Sequence, residues 1–285
     1  MVNAIEIKHL HKVYADFALK DICLSVPTGS VVGLIGENGA GKSTLISSVL
    51  NMTDCDYEEI NVFGKDIREH EKEVKQDIAV IFDNTYYDLN FTPAFIGKIL
   101  SKVYKNWDMN LYDDYLEKFD LPAKKRLKGF SRGMKMKLEF AIAFSHDAKL
   151  LILDEATSGL DPIFRDEILG ILRKYTEDED HTILMSSHIT SDLDKIADYI
   201  AYIHDGELIF MKTYDEIHEN YGIINCNKEL FESLNKEDIV SYRREAYSYK
   251  VMVKNRLEIQ KVIQGLEVER ASIEEVMLYH AKGEK

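Results

Sequence analysis

Apolar and polar positions alternate over residues 4–10 and 22–26, the period-two pattern of strands with one face on a core. Residues 30–35 are instead apolar almost without a break, which is how a strand buried on both faces of a parallel sheet reads. That run ends in a glycine-rich turn, and the composition of 42–50 suits a helix, so the chain opens with a strand, turn, helix unit. From about residue 83 to 146 the strand signals fade. Pro93 suits a first helical turn, and Ile96, Ile99, Leu100 and Val103 recur at three-to-four spacing. This predicts an inserted helical subdomain over about 84–147. Strands return at 150–153, 182–185 and Tyr199–His204, separated by helical stretches, and Asp205-Gly206 marks a hairpin turn into 208–211. Beyond about residue 222 the pattern changes again. Residues 247–253 read as a strand, and Ser272 with Glu275 makes a capping box ahead of a short closing helix. The expected fold class is α/β, with a mixed or parallel sheet and N-terminal antiparallel strands. Residues 1–220 form the main domain and 221–285 a small α/β appendage.

Composition narrows the function classes. With 285 residues, 45% of them hydrophobic, the chain can bury a sizeable core. Its longest apolar runs, at 31–36 and 140–144, fall well short of the roughly eighteen residues a membrane span needs. Segment 1–10 carries Glu6, Lys8 and His9 and lacks the basic start and apolar middle of a signal peptide. A net charge of −14 opposes binding to a phosphate backbone, so no nucleic-acid partner is expected, and the basic group at 124–128 reads as a solvated helix end or loop. Cys23, Cys55 and Cys226 lack metal-ligand spacing and fit a reducing cytosol.

The chemistry lies in two motifs. Gly36-Glu37-Asn38-Gly39-Ala40-Gly41-Lys42-Ser43-Thr44 fits G-x-x-x-x-G-K-[ST], and it sits where that pattern must sit, between a strand and a helix. Glycines let successive backbone N–H groups turn around a β-phosphate, and the helix N-terminus adds its positive end. Lys42 would reach the β and γ oxygens, while Ser43 can ligate Mg²⁺. The second motif, Leu150 through Leu153 followed by Asp154-Glu155, is an apolar strand ending in two carboxylates. Asp154 would orient Mg²⁺ and Glu155 would act as general base on the attacking water. The core is thus expected to be that of a P-loop NTPase with ATP and Mg²⁺ as cofactors.

Three further groups complete an order of motifs: Phe130-Ser131-Arg132-Gly133-Met134 before the acidic strand, Ser158-Gly159-Leu160-Asp161 after it, and Ser187-His188 after the next strand. Together with the phosphate loop they resemble the ATPase domain of ABC transporters over roughly residues 1–220. The appendage resembles those on ATPase subunits of exporters whose membrane part is a separate chain. The resemblance implies a head-to-tail dimer, homo- or heteromeric, in which the signature Ser131, Arg132 and Gly133 closes over the partner's nucleotide. It implies that His188 holds the γ-phosphate and water, that Asp161 links the two sites and that Tyr14 stacks on adenine. It also implies a peripheral subunit at the cytoplasmic face of the membrane, attached to a transmembrane chain. The function expected is an ATP-hydrolysing motor, with export of peptides or amphiphilic compounds as the substrate class.

The chain departs from that pattern at four places. Asp83 stands where a glutamine that touches Mg²⁺ is usual, and it is expected to keep the metal contact. Arg132 replaces glycine, Met134 glutamine and Ala156 proline. Residues 83–90, with Tyr86, Tyr87 and Leu89, are read as a hinge near a partner helix or as an ordinary loop. Two other functions were weighed. A soluble ABC-type ATPase acting on ribosomes or DNA usually has two ATPase domains or a dividing coiled coil, and a basic face; this chain has one phosphate loop and an acidic balance. A low-turnover regulatory subunit is opposed by the presence of both Glu155 and His188.

Overall fold

The alternating N-terminal segments form β1 (Asn3–Val13) and β2 (Ala18–Pro27), and the apolar run is β3 (Val31–Ile35), followed by α1 (Lys42–Val49). The computed structural model describes residues 3–84, 86–263 and 266–284. The chain continues through β4 (Glu59–Val62), β5 (Lys65–Asp66), α2 (Glu71–Val74) and β6 (Ile78–Ile81). Between β6 and the next strand the described residues form only helices and turns: α3 (Pro93–Leu100), α4 (Met109–Lys118), a 3-10 turn (Leu127–Gly129) and α5 (Arg132–Ala143). Alternation resumes with β7 (Leu150–Asp154), α6 (Pro162–Tyr175), β8 (Thr182–Ser186), α7 (Thr190–Ile196), β9 (Tyr199–His204) and β10 (Glu207–Thr213). The C-terminal region holds α8 (Tyr214–Asn220), β11 (Gly222–Cys226), α9 (Lys228–Ser233), β12 (Ile239–Arg244), β13 (Tyr249–Val253), α10 (Arg256–Val262), β14 (Glu269–Arg270) and α11 (Ile273–Lys282).

The strands make three sheets, in the orders β2-β1-β4-β5, β10-β9-β3-β8-β7-β6 and β12-β13-β11-β14. In the central sheet β9, β3, β8, β7 and β6 run parallel, and β10 returns antiparallel from the hairpin. Side-chain alternation across that sheet explains why its strands look apolar throughout. Val31 and Ile35 of β3, with Leu151 and Leu153 of β7, enter the core under the helices. Val32 and Leu34, with Leu150 and Ile152, enter a second core against the N-terminal sheet and α1. The α/β class, the mixed central sheet and the N-terminal antiparallel strands are as expected.

One helix ends earlier than its spacing predicts. Ile96 and Leu100 are buried, but α3 stops at Leu100, leaving Ile99 38% and Val103 53% exposed. The side chain of Gln76 takes over the backbone there, donating to the Val103 carbonyl at 3.2 Å and accepting from the Lys105 N–H at 3.0 Å. A long-range side-chain contact of this kind is invisible to periodicity. The C-terminal region is also richer than its sequence pattern indicated. It carries a complete four-stranded antiparallel sheet in which Ile223 and Met252 face the main core, whereas Ile224, Val251 and Val253 face a small core of their own.

Candidate functional site

In a parallel sheet the loops leaving the carboxyl ends of neighbouring strands converge, and a crevice outside those ends is where ligands bind. Here β3, β8, β7 and β6 are consecutive neighbours. The loops after them carry the phosphate-loop residues, His188, Glu155 and Asp83 in turn. One cavity of about 480 Å³ is lined by Asn38, Gly39, Gly41, Lys42, Ser43, Thr44, Asp83, Arg132, Glu155, Ser158 and His188, with Phe17. Asn38 and His188, 150 positions apart in the chain, thus share one cleft because the strands that lead to them are adjacent.

The phosphate loop needs its glycines. A Cβ on Gly36 would sit 2.4 Å from the Ile203 carbonyl oxygen, and Gly41, the residue before α1, has φ +114° with Leu19 and Phe17 packed against its Cα. Lys42 is only 6% exposed. Its ammonium donates to the carbonyls of Gly36 at 2.8 Å and Glu37 at 3.3 Å, and lies 3.6 Å from Glu155 Oε1. Ser43 is exposed, Thr44 half-buried and Ala40 buried, and exposed Glu37 lies 3.7 Å from Lys282 Nζ at the end of α11.

The acidic strand end is rigidly held. Ser186, fully buried at the end of β8, donates its hydroxyl to Asp154 Oδ1 at 2.6 Å and accepts the Glu155 N–H at 3.1 Å. Glu155 adopts φ +54°, a left-handed conformation that costs a non-glycine residue on the order of 1–2 kcal/mol and lifts its carboxylate into the cleft. Glu155 Oε2 lies 2.5 Å from His188 Nδ1, so this carboxylate bridges the imidazole and the Lys42 ammonium. Ala156 beside it is fully buried in the main core, where a small apolar residue packs without a ring.

The signature segment begins α5. Ser131 is its N-cap and accepts the Met134 N–H at 3.2 Å, while Met134 packs its side chain on the main core. Gly133 is half-buried with open space around it. Arg132 lies across Gly159: a Cβ there would be 3.2 Å from the guanidinium carbon. Within the single chain Arg132 therefore lines its own cleft. Asp161 caps α6, accepting the Phe164 N–H at 3.0 Å, with Pro162 in the first turn. Tyr14 is not among the lining residues. It lies just past β1, 46% exposed, its hydroxyl 3.4 Å from Thr53 Oγ1 and its ring under the Lys12 ammonium at 4.9 Å. The aromatic that borders the cleft is Phe17, three residues on. Sequence reasoning also passed over Ser186, which holds the Asp154 carboxylate and the Glu155 backbone; a hydroxyl closing the apolar strand next to Ser187-His188 is its signal.

Comparison with known proteins agrees with this geometry. Residues 19–158 match the model of the ABC transporter family. The bacitracin transport ATP-binding protein BcrA of Enterococcus faecalis is 33% identical over 222 residues, 77% of this chain and 72% of the relative. The lantibiotic transport ATP-binding protein SrtF of Streptococcus pyogenes is 33% identical over 231 residues, 80% of this chain and 98% of the relative. A solved structure described as an ATP-binding subunit of an ABC transporter superposes with a TM-score of 0.69 at 26% identity, covering 75% of this chain and 92% of the other. The chain belongs to the ATP-binding proteins of ABC transporters, the ATPases that power transport.

Proposed function

We propose that the chain is the ATP-hydrolysing subunit of an exporter of peptides or amphiphilic compounds, working at the cytoplasmic face of the membrane against a separate spanning chain. The observation that carries the motor reading is the single cleft in which Lys42, Glu155 and His188 meet. The export reading rests on the relatives named for bacitracin and lantibiotic transport. Among the described residues no helix is long and apolar enough to cross a membrane, so the path for the substrate is assigned to a partner.

Each group has a task that its placement allows. Phosphate oxygens would compete for the Lys42 ammonium, now shared among two carbonyls and Glu155, and would be met by the N–H groups of residues 37–44 at the start of α1. Released from Lys42, Glu155 is free to accept the proton of the attacking water, and His188 stands beside it to hold the terminal phosphate. Ser43, Asp154 and Asp83 offer hard oxygen donors of the kind Mg²⁺ takes, and the ion would neutralise charge on the phosphates. Phe17 on the wall of the cleft, with exposed Tyr14 three residues before it, would offer the base a ring on which to stack. In a head-to-tail pair, Ser131 and the Gly133 N–H at the start of α5 would reach the partner's γ-phosphate, with Asp161 near the junction of the two sites. Tyr86 and Leu89 on the loop after β6, with Phe95 and Ile99 on α3, are exposed apolar side chains assigned to contact with the spanning chain.

The test is phosphate release by the purified chain in Mg-ATP together with isolation of the complex from membranes. Turnover that disappears in Glu155→Gln, and a spanning chain that co-purifies, are the outcomes expected. Equal turnover in the variant would remove Glu155 as the base.

A further inference from the structure

Two charged side chains of the cleft stand apart from its paired groups. Lys42 and His188 both meet Glu155. Asp83, on the loop leaving β6, and Arg132, the first residue of α5, line the same cavity. Neither makes an ion pair or a side-chain hydrogen bond among the described residues. Their charges are of opposite sign.

Each charge bears on the cleft. Asp83 is exposed and adds a negative charge to the wall of a cavity that has to take up a polyphosphate, where it acts through solvent and is open to screening by salt. Arg132 supplies a positive charge with five donors in a planar fork. Gly159, at φ +83°, is what lets it do so, since the guanidinium lies 3.2 to 3.4 Å from the point a Cβ would occupy and next to the lining residue Ser158.

We propose that Asp83 and Arg132 are a balanced pair: the Arg132 guanidinium of the same chain offsets the field of Asp83 at the phosphates, so each is tolerated because of the other. The pair tunes affinity for the anionic nucleotide and takes no part in proton transfer. This inference rests on the ATP-binding reading above.

The experiment is binding of a fluorescent N-methylanthraniloyl ATP in excess chelator, so that any metal contact of Asp83 plays no part, with Arg132→Gln, Asp83→Asn and the double variant. Thermal melts establish that each is folded. Arg132→Gln is expected to weaken binding by about ten-fold and Asp83→Asn to tighten it by several-fold, with both shifts shrinking as salt is raised. The double variant should return to within about three-fold of the parent, and Arg132→Lys, which keeps the charge, should do the same. Single variants that shift affinity in the same direction and compound in the double, or a single variant that leaves affinity unmoved, would overturn the pairing while leaving ATP binding intact. A parent chain that binds no nucleotide would overturn the ATP-binding reading itself, and the pairing with it.

Discussion

The candidate cleft and the C-terminal sheet are held by opposite means. In the cleft, charged and hydroxyl side chains at strand ends, on the loops beyond them and at the start of α1 are fixed by specific polar contacts: Lys42 to two carbonyls, Ser186 to Asp154, and Glu155 between Lys42 and His188. In the C-terminal region apolar strand faces do the work. Met252 and Ile223 pack on the main core, Val251, Val253 and Ile224 on a small one, and capped short helices close the ends. The difference teaches that the cleft depends on residue identity, whereas the C-terminal sheet depends on shape and apolarity. Substitutions in the first should therefore cost chemistry at little cost in stability, and those in the second the reverse.

The sharpest way to break this contrast is Glu155→Gln. Loss of a positioned base predicts a fall in turnover of about 10²- to 10³-fold with the melting temperature held, checked by phosphate release and calorimetry on one preparation. A variant that melts early would show that the Glu155 contacts are structural. Next in size is Ser186→Ala, which takes its hydroxyl donor from the buried Asp154 carboxylate, while the Glu155 N–H keeps the Ser186 carbonyl at 3.2 Å. Turnover is expected to fall about ten-fold as Asp154 loses its aim, with denaturant titration showing a loss of no more than about 1 kcal/mol.

Two changes probe the other side. In Gly283→Ala the added methyl would meet Ser241 Oγ at 2.0 Å and the Tyr279 carbonyl at 2.5 Å, so about 1–3 kcal/mol of stability should go while turnover per folded molecule holds. Ser272→Ala removes the capping box of α11, in which Ser272 and Glu275 exchange hydrogen bonds, and should cost about 1 kcal/mol. If either change lowered turnover per folded molecule, the division between chemistry and shape would fail. The finest test is pH. Burial lowers the pKa of His146 below 6.5, against the weaker opposing pull of the Ile78 and Ile142 carbonyls. A group depressed in the folded state is more readily protonated when unfolded, so its contribution is present above pH 6.5 and drains away as the pH falls through the folded value. In His146→Gln the decline of stability below pH 6.5 should be shallower than in the parent.

The same contrast explains what could be read in advance. Gly36 through Thr44, Asp154 and Glu155 were legible because phosphate and water chemistry admits few residue types at those spacings, and the apolar runs of β3 and β7 placed them at strand ends; His188 was reached only through the family resemblance. The central sheet and the N-terminal antiparallel pair followed from periods of two and from unbroken apolar strands. Phe17 went unread because nothing local separates it from Tyr14; only the packing of Gly41 against its ring puts it in the cleft. Ser186 was hidden by its single hydroxyl, whose role arises from the register that pairs Asp154 with it across β7 and β8. In the C-terminal region β11, β12 and β14 were missed because short strands of mixed burial carry little periodicity, and many hydrophobic sequences satisfy the same faces.

The central claim is that one cleft grips a triphosphate and aims water at it. A crystal structure of the Glu155→Gln variant grown with Mg-ATP tests it most directly. The account predicts the triphosphate wrapped by the N–H groups of residues 37–44, with the Lys42 ammonium moved from the Gly36 and Glu37 carbonyls onto the β and γ oxygens. Nucleotide bound elsewhere, or Lys42 still on those carbonyls with the phosphates out of its reach, would contradict it.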